Sequence, residues 1–198
     1  MGYIWIPTQA SWTIDMVGRL PAKAHQWRTV WHENPFYQWN VATGPNMRLQ
    51  VGNERIILNK GDCLLLRPYT RHTGWGPVED GTGFYFVRFM TDPCPIYQKI
   101  SLLSQRAEPG YADQYLVLPE LGQLNDYDAV LATFAEIVHA WLEQRPFYQM
   151  YISTLLQRML LTAVRSGIMP LDDAGNLRLE SPRRMEVLKQ VLEYIDRP

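Results

Sequence analysis

The hydrophobic periodicity of this chain changes once, near residue 120, and that change limits the fold more than any other feature. From Tyr3 to about Leu118 short apolar runs are broken by Gly, Pro and Asn; from about Leu121 to Ser166 apolar residues recur at intervals of three and four. The first texture suits strands joined by tight turns, the second amphipathic helices. With 198 residues, one domain followed by a helical segment is the expected scale. Apolar residues make up 46%, enough for a packed core.

The strands are legible one by one. Phe36–Thr43 is aromatic and β-branched, with Tyr37, Trp39, Val41 and Thr43 on one face. Gly44-Pro45-Asn46 marks a turn, after which Met47, Leu49 and Val51 alternate with polar residues. Val51-Gly52-Asn53-Glu54 turns the chain into Arg55–Leu58, and Lys60-Gly61-Asp62 turns it again into Cys63–Leu66. Gly83–Phe89 is a further, aromatic strand. Many short strands at this spacing indicate a sandwich or a barrel.

The helices follow. Leu121, Leu124, Leu131, Phe134, Val138 and Trp141 predict a first helix ending at Arg145-Pro146, with Asp126 and Asp128 near its start. Tyr148–Arg165 predicts a second, closed by Gly167. A third opens at Ser181-Pro182 and runs toward Pro198.

The run Gly61-Asp62, the apolar strand Cys63–Leu66, Pro68 and then His72 resembles the cupin β-barrel motif. A hairpin, this motif, the aromatic strand Phe84–Phe89 and two helices, in that order, resemble more closely the N-terminal regulatory domain of AraC-family transcription factors. The sharp motif lies within residues 49–89, and the architectural likeness spans about 20–166. Pro182–Ile195 is similar to the opening helix of that family's DNA-binding domain. The resemblance implies a mainly β fold: a cupin-like barrel (double-stranded β-helix) followed by an antiparallel helix pair. It divides the chain into an N-terminal arm at 1–21, a ligand-binding barrel at 22–120, and a helical hairpin for dimerisation at 121–167. A linker at 168–181 and the first helix of a truncated helix-turn-helix domain at 182–198 complete it.

Within the motif, Gly61 suits a positive-φ turn, Asp62 a bond to turn N–H groups, and Pro68 the end of a strand. In metal-binding cupins the residue equivalent to His72 joins two His and a Glu from an earlier strand pair. The pair here, Phe36–Val51, contains no His, Glu, Asp or Cys, and His32 and Glu33 lie upstream of it. One imidazole does not make a metal site, so neither metal nor other cofactor is expected.

An apolar barrel interior is filled by side chains or holds one small ligand. The candidate lining is Trp39, Phe84 and Phe86, with Arg88 sharing the Phe84/Phe86 face by alternation. His72 and Trp75, the latter in the loop Gly74-Trp75-Gly76-Pro77, complete the candidate ligand-binding set, Trp75 as a cover for the opening. The resemblance places Phe86 and Arg88 where sugar-sensing relatives contact their ligand. Each aromatic has core filling as its alternative, and Arg88, if buried, requires a carboxylate of the protein or an anionic or hydroxylated ligand. Trp31 and His32 suit either packing or the mouth of a pocket.

The net charge of −1 disfavours nucleic-acid binding by this chain alone. Two cysteines, no basic N-terminal region and no apolar run near the ~20 residues of a bilayer span suggest a cytoplasmic protein without membrane contact. No catalytic motif is present. The expectation is therefore not an enzyme but the effector-sensing and dimerisation domain of an AraC-type transcriptional regulator. It would bind a small metabolite, a sugar being the first candidate, act as a homodimer, and reach DNA only through a domain outside this chain. A stand-alone cupin enzyme of the isomerase or dioxygenase type is the alternative, and a filled structural module a third.

Overall fold

Alternating side chains and tight turns produce a stack of antiparallel strands, and the computed structural model describes them through residues 2–21, 30–98 and 114–171. In chain order the strands are β1 (Tyr3–Pro7), β2 (Ser11–Pro21), β3 (Tyr37–Ala42), β4 (Met47–Val51), β5 (Glu54–Leu58), β6 (Asp62–Leu66), β7 (His72–Gly74), β8 (Gly83–Asp92), β9 (Ile96–Gln98), β10 (Tyr115–Pro119) and β11 (Leu121–Leu124). Helices α1 (Tyr127–Glu143) and α2 (Tyr148–Ser166) and a short β12 (Ile168–Pro170) follow. The fold is mainly β and cupin-like, with two C-terminal helices.

The strands form a six-stranded sheet of order β12-β11-β6-β3-β8-β2 and two three-stranded sheets, β5-β4-β7 and β10-β1-β9. The ladders do not close into one ring; the interior is the space between the six-stranded sheet and β5-β4-β7. Ala42, Leu64, Leu66, Phe84 and Phe86 meet Met47, Leu49, Ile56 and Leu58 there. The opposite face of the large sheet carries Trp39, Val41, Cys63, Leu65, Val87 and Phe89, which pack with the helices. A register shift in β2 between Ile14 and Met16 keeps both Ile14 and Val17 on this second face.

The turns behave as their residues require. Gly61 has φ of 90°, and the backbone N–H of Asn59 donates to Asp62 Oδ2 at 2.8 Å. Gly44 marks a close approach, since a Cβ there would lie 2.3 Å from the Gly81 carbonyl oxygen.

Two expectations change. The segment 1–21 is not an arm lying over a pocket. β1 sits between β10 and β9, and β2 pairs with β8 from Ser11↔Asp92 to Pro21↔Gly83. Ile4 and Ile6 are fully buried, so the segment belongs to the core. The first helix starts at Tyr127, not Leu121. Asp126 caps it by accepting from the Ala129 N–H at 3.3 Å. Leu121–Leu124 instead pairs with β6 and β12, where Gly122 leaves room for the Ile168 side chain. The three-residue spacing of Leu121 and Leu124 resembles a helix but serves a strand whose residues enter different cores.

Val130, Phe134, Ile137 and Ala140 of α1 and Ile152, Leu155, Leu156, Met159, Leu160 and Ala163 of α2 are all buried. Both stripes are thus used within one chain, against each other and the sheet. No described helix is long and apolar enough to cross a membrane. The linker expected at 168–181 does not begin as one: Ile168–Pro170 forms β12, paired with β11. The segment beyond Leu171, with the helix expected at 182–198, lies outside the described residues.

Phe134 is fully buried, with ring centroids 6.0 Å from Trp39 and 5.5 Å from Tyr85. Phe134→Ala is expected to lower unfolding free energy by about 3–5 kcal/mol in urea titrations, the usual effect of emptying such a site.

Candidate functional site

Strand pairing decides which side chains meet inside. β3 and β8 pair with Gln38 opposite Arg88, Asn40 opposite Phe86 and Ala42 opposite Phe84, so these six share the interior face. β2 adds Leu20, opposite Phe84. β4 adds Leu49 and β6 adds Leu66, while His72 enters from β7, opposite Val51. His32 is held beside His72 by a two-way backbone bridge, with N···O distances of 3.1 and 2.9 Å. Together Leu20, His32, Gln38, Asn40, Leu49, Leu66, His72, Phe84, Phe86 and Arg88 line a cleft of about 60 Å³.

The polar groups form a directional chain. Arg88 Nε–H donates to Gln38 Oε1 at 2.9 Å. Gln38 Nε2 donates to Asn40 Oδ1 at 2.8 Å. Asn40 Nδ2 donates to the Leu64 carbonyl at 3.2 Å, across to β6. Both amides are almost fully buried. Arg88 is half-buried, with its guanidinium 5.8 Å from the centre of the Phe86 ring. Among the described residues it makes no ion pair with a carboxylate.

His72 is 3% exposed. Its Nδ1 lies 2.8 Å from the Thr70 carbonyl. A carbonyl only accepts, so Nδ1 carries the proton and Nε2 presents a lone pair. That Nε2 is buried and has no hydrogen-bond partner among the described residues. Burial pushes the His72 pKa down to about 4; the Thr70 bond opposes this, and the neighbouring His32 and Arg88 add to it. The His32 and His72 rings are 4.1 Å apart between centroids.

Phe86 owes its position to Gly18. A Cβ on Gly18 would lie 2.7 Å from Phe86 Cε1, so the ring rests over bare backbone of β2. The Phe84 and Phe86 centroids are 6.0 Å apart.

Among the described residues no three His, Cys, Asp or Glu side chains converge. The donors in the cleft are two imidazoles and two amides beside a guanidinium, a set that does not suit the metal of the cupin metalloenzymes.

Of the residues singled out from sequence, His72, Phe84, Phe86 and Arg88 meet at the cleft. Trp39 does not. It is 1% exposed on the opposite face and stacks on Phe134. The parity was legible, but the aromatic face of β3 is the one under the helices. Trp75 does not cover the opening either. Its indole lies beside the guanidiniums of Arg48 and Arg55, at 5.2 and 4.6 Å, and Nε1–H donates to the Leu49 carbonyl at 3.1 Å. Leu20, Gln38, Asn40, Leu49 and Leu66 were not anticipated. For Gln38 and Asn40 the signal was present: they alternate with Trp39.

A family model described as the AraC-like ligand binding domain matches residues 19–160. The chain belongs to this family. A comparison with curated protein sequences finds no match. Among solved structures, the AraC-like domain is similar to ToxT from Vibrio cholerae bound to an unsaturated fatty acid, at 12% identity and a TM-score of 0.39, over 81% of this chain and 55% of ToxT. It is also similar to a cupin protein from Bacteroides fragilis, at 14% identity and TM-score 0.28, over 56% of this chain and 73% of that one. A point mutant of salicylate 1,2-dioxygenase from Pseudoaminobacter salicylatoxidans matches at 10% identity and TM-score 0.33, over 68% of this chain and 43% of the dioxygenase. The chain thus spans about half the length of ToxT.

The His72 environment sets a pH dependence. Folded His72 stays neutral down to about pH 4, whereas the unfolded residue takes up its proton near 6.5. Between these values the unfolded chain binds more protons, so the contribution is full above pH 6.5 and is lost as pH falls toward 4. Urea midpoints at pH 7 and pH 5 are expected to differ more in the parent than in His72→Gln. The part specific to His72 is on the order of 1–2 kcal/mol.

Proposed function

We propose that this AraC-like domain senses a small molecule in the cleft and that occupancy governs DNA-binding elements of a longer regulator. One observation carries the reading. At the cleft the buried His72 Nε2 has no hydrogen-bond partner among the described residues, and the half-buried Arg88 guanidinium, bonded through Nε–H to Gln38, meets no described carboxylate. A buried polar group without a partner costs about 1–3 kcal/mol. A purely structural module gains nothing from keeping the His72 Nε2 orphan, whereas a bound effector satisfies it and offers Arg88 a counter-charge.

The domain is not an enzyme in this reading. Among the described residues the interior presents no nucleophile–base pair, and its acid–base candidate, His72, has its Nδ1 proton committed to the Thr70 carbonyl. A sugar remains the effector class suggested by the resemblance. The present cleft of about 60 Å³ is far below the roughly 300–1,000 Å³ of pockets for drug-sized ligands. A pyranose therefore requires outward movement of Leu20 and the Phe84–Phe86 wall, and such opening is itself a way to couple occupancy to β2. We place the homodimer contact on Leu142, Phe147, Met150 and Leu161, which are exposed around the helix pair after the buried stripes are used.

Leu20 is 42% exposed at the rim of the cleft, so Leu20→Trp obstructs the entrance with little effect on packing. In thermal-shift measurements over sugars, polyols and carboxylates, at least one compound is expected to raise the parent's Tm saturably, with the shift reduced or lost in Leu20→Trp. Ligand at about a hundred times Kd adds about 2.7 kcal/mol of stability, well within detection. A panel without any saturable shift on the parent overturns the sensing reading.

A further inference from the structure

The atoms left unsatisfied at the cleft specify more than the presence of an effector. Arg88 carries a permanent positive charge. Its Nε–H is committed to Gln38, while the other N–H groups of the fork face no described carboxylate. A guanidinium beside Phe84, Phe86 and Leu66 gains most from an anion, and a carboxylate matches its fork in two parallel bonds. His72 makes a different demand. With Nδ1–H given to Thr70, Nε2 requires a donor from the ligand.

The two amides narrow the choice further. Gln38 Oε1 receives from Arg88, Gln38 Nε2 gives to Asn40, and Asn40 Nδ2 gives to the Leu64 carbonyl. Their bonds run to each other and to backbone, so the amides serve the protein's own chain first and leave few groups for the many hydroxyls of a polyol. The remaining walls are Leu20, Leu49, Leu66, Phe84 and Phe86, with the His32 imidazole, whose Nδ1 lies 2.9 Å from the Val30 carbonyl, beside His72. The volume of about 60 Å³ corresponds to a handful of water-sized positions, each needing about 10–15 Å³ on this measure.

On the reading that this cleft senses an effector, we infer that its ligand is a small hydroxycarboxylate of about five to seven non-hydrogen atoms. Its carboxylate pairs with Arg88, its hydroxyl donates to His72 Nε2, and its short hydrocarbon part lies against Phe84 and Phe86. An ammonium group in place of the hydroxyl meets the guanidinium charge at close range, which sets amino acids apart from hydroxy acids of the same size.

The test is calorimetric titration and thermal shift on the purified 198-residue chain, at fixed ionic strength. The probes are glycolate, lactate and 3-hydroxybutyrate. Propionate lacks the hydroxyl, propane-1,2-diol the carboxylate, alanine carries an ammonium, and glucose represents the sugars. At least one hydroxycarboxylate is expected to bind saturably, and the four control compounds about tenfold more weakly or not at all. Arg88→Gln is expected to lose about tenfold or more in affinity, with Arg88→Lys recovering part of it. His72→Phe is expected to abolish the preference for lactate over propionate, a readout that a merely structural role would not move. Circular dichroism checks folding, and the lysine and phenylalanine variants keep the test open if the glutamine variant unfolds. Glucose or propanediol binding while all three hydroxycarboxylates are silent overturns this inference and leaves the sensing reading standing. Hydroxycarboxylate binding that is undiminished in Arg88→Gln overturns it equally. Silence of these probes together with the wider panel overturns both.

Discussion

The antiparallel pairing of β3 with β8 is the constraint on which the rest of the domain depends. The two strands lie side by side within the six-stranded sheet, and each sends its residues alternately to two different interiors. One parity, with Trp39, Val41, Val87 and Phe89, goes to the helix-covered core. The other, with Gln38, Asn40, Phe86 and Arg88, goes to the cleft. A slip of one residue would bury Arg88 under the helices and turn Trp39 toward the small sheet. The large apolar area on the helix side therefore holds the polar chain in place, although none of those residues touches it.

This division explains how the domain carries unsatisfied groups. The polar interior is small, bounded by aliphatic and aromatic side chains, and fixed at both ends: by the Asn40 bond to the Leu64 carbonyl and by the His32–His72 backbone bridge. The stabilising mass lies elsewhere, in a core where Phe134, Ile137, Leu156, Met159 and Leu160 are fully buried. With stability held elsewhere, the cleft keeps an unmet imidazole lone pair, and a guanidinium that faces no described carboxylate, without loosening the fold.

Much of the fold was legible in the sequence. Met47–Val51 was read with its observed limits, and β3, β5 and β6 within a residue or two at their ends, because turn residues bound each run and alternation fills it. The Tyr148 helix and its Gly167 stop were equally clear. What misled was local ambiguity. Leu121 and Leu124 satisfy helical spacing, yet the edge of β6 beside them needed a partner, and long-range pairing won. In the site, Phe84 and Phe86 stood out as aromatic residues of one strand, and Arg88 followed from alternation with them. Trp39 was assigned to the wrong interior because an aromatic face looks like a pocket lining until one knows which face the helices cover. Gln38 and Asn40 were on the correct parity but, as neutral amides, carried no chemical flag. His32 was open between packing and the mouth of a pocket, and what decides it is a β-bridge to a residue forty positions away, a contact that no local pattern encodes.

Gly18 contributes to recognition without lining the cleft. The Phe86 ring lies against its bare backbone, so the depth available to a guest is set from behind, by the smallest residue on the neighbouring strand. Any side chain at that place would tilt the ring inward and shrink the chamber while leaving every contacting group unchanged. Relatives with the same lining could then differ in the size of molecule they admit through a residue that their ligands never meet.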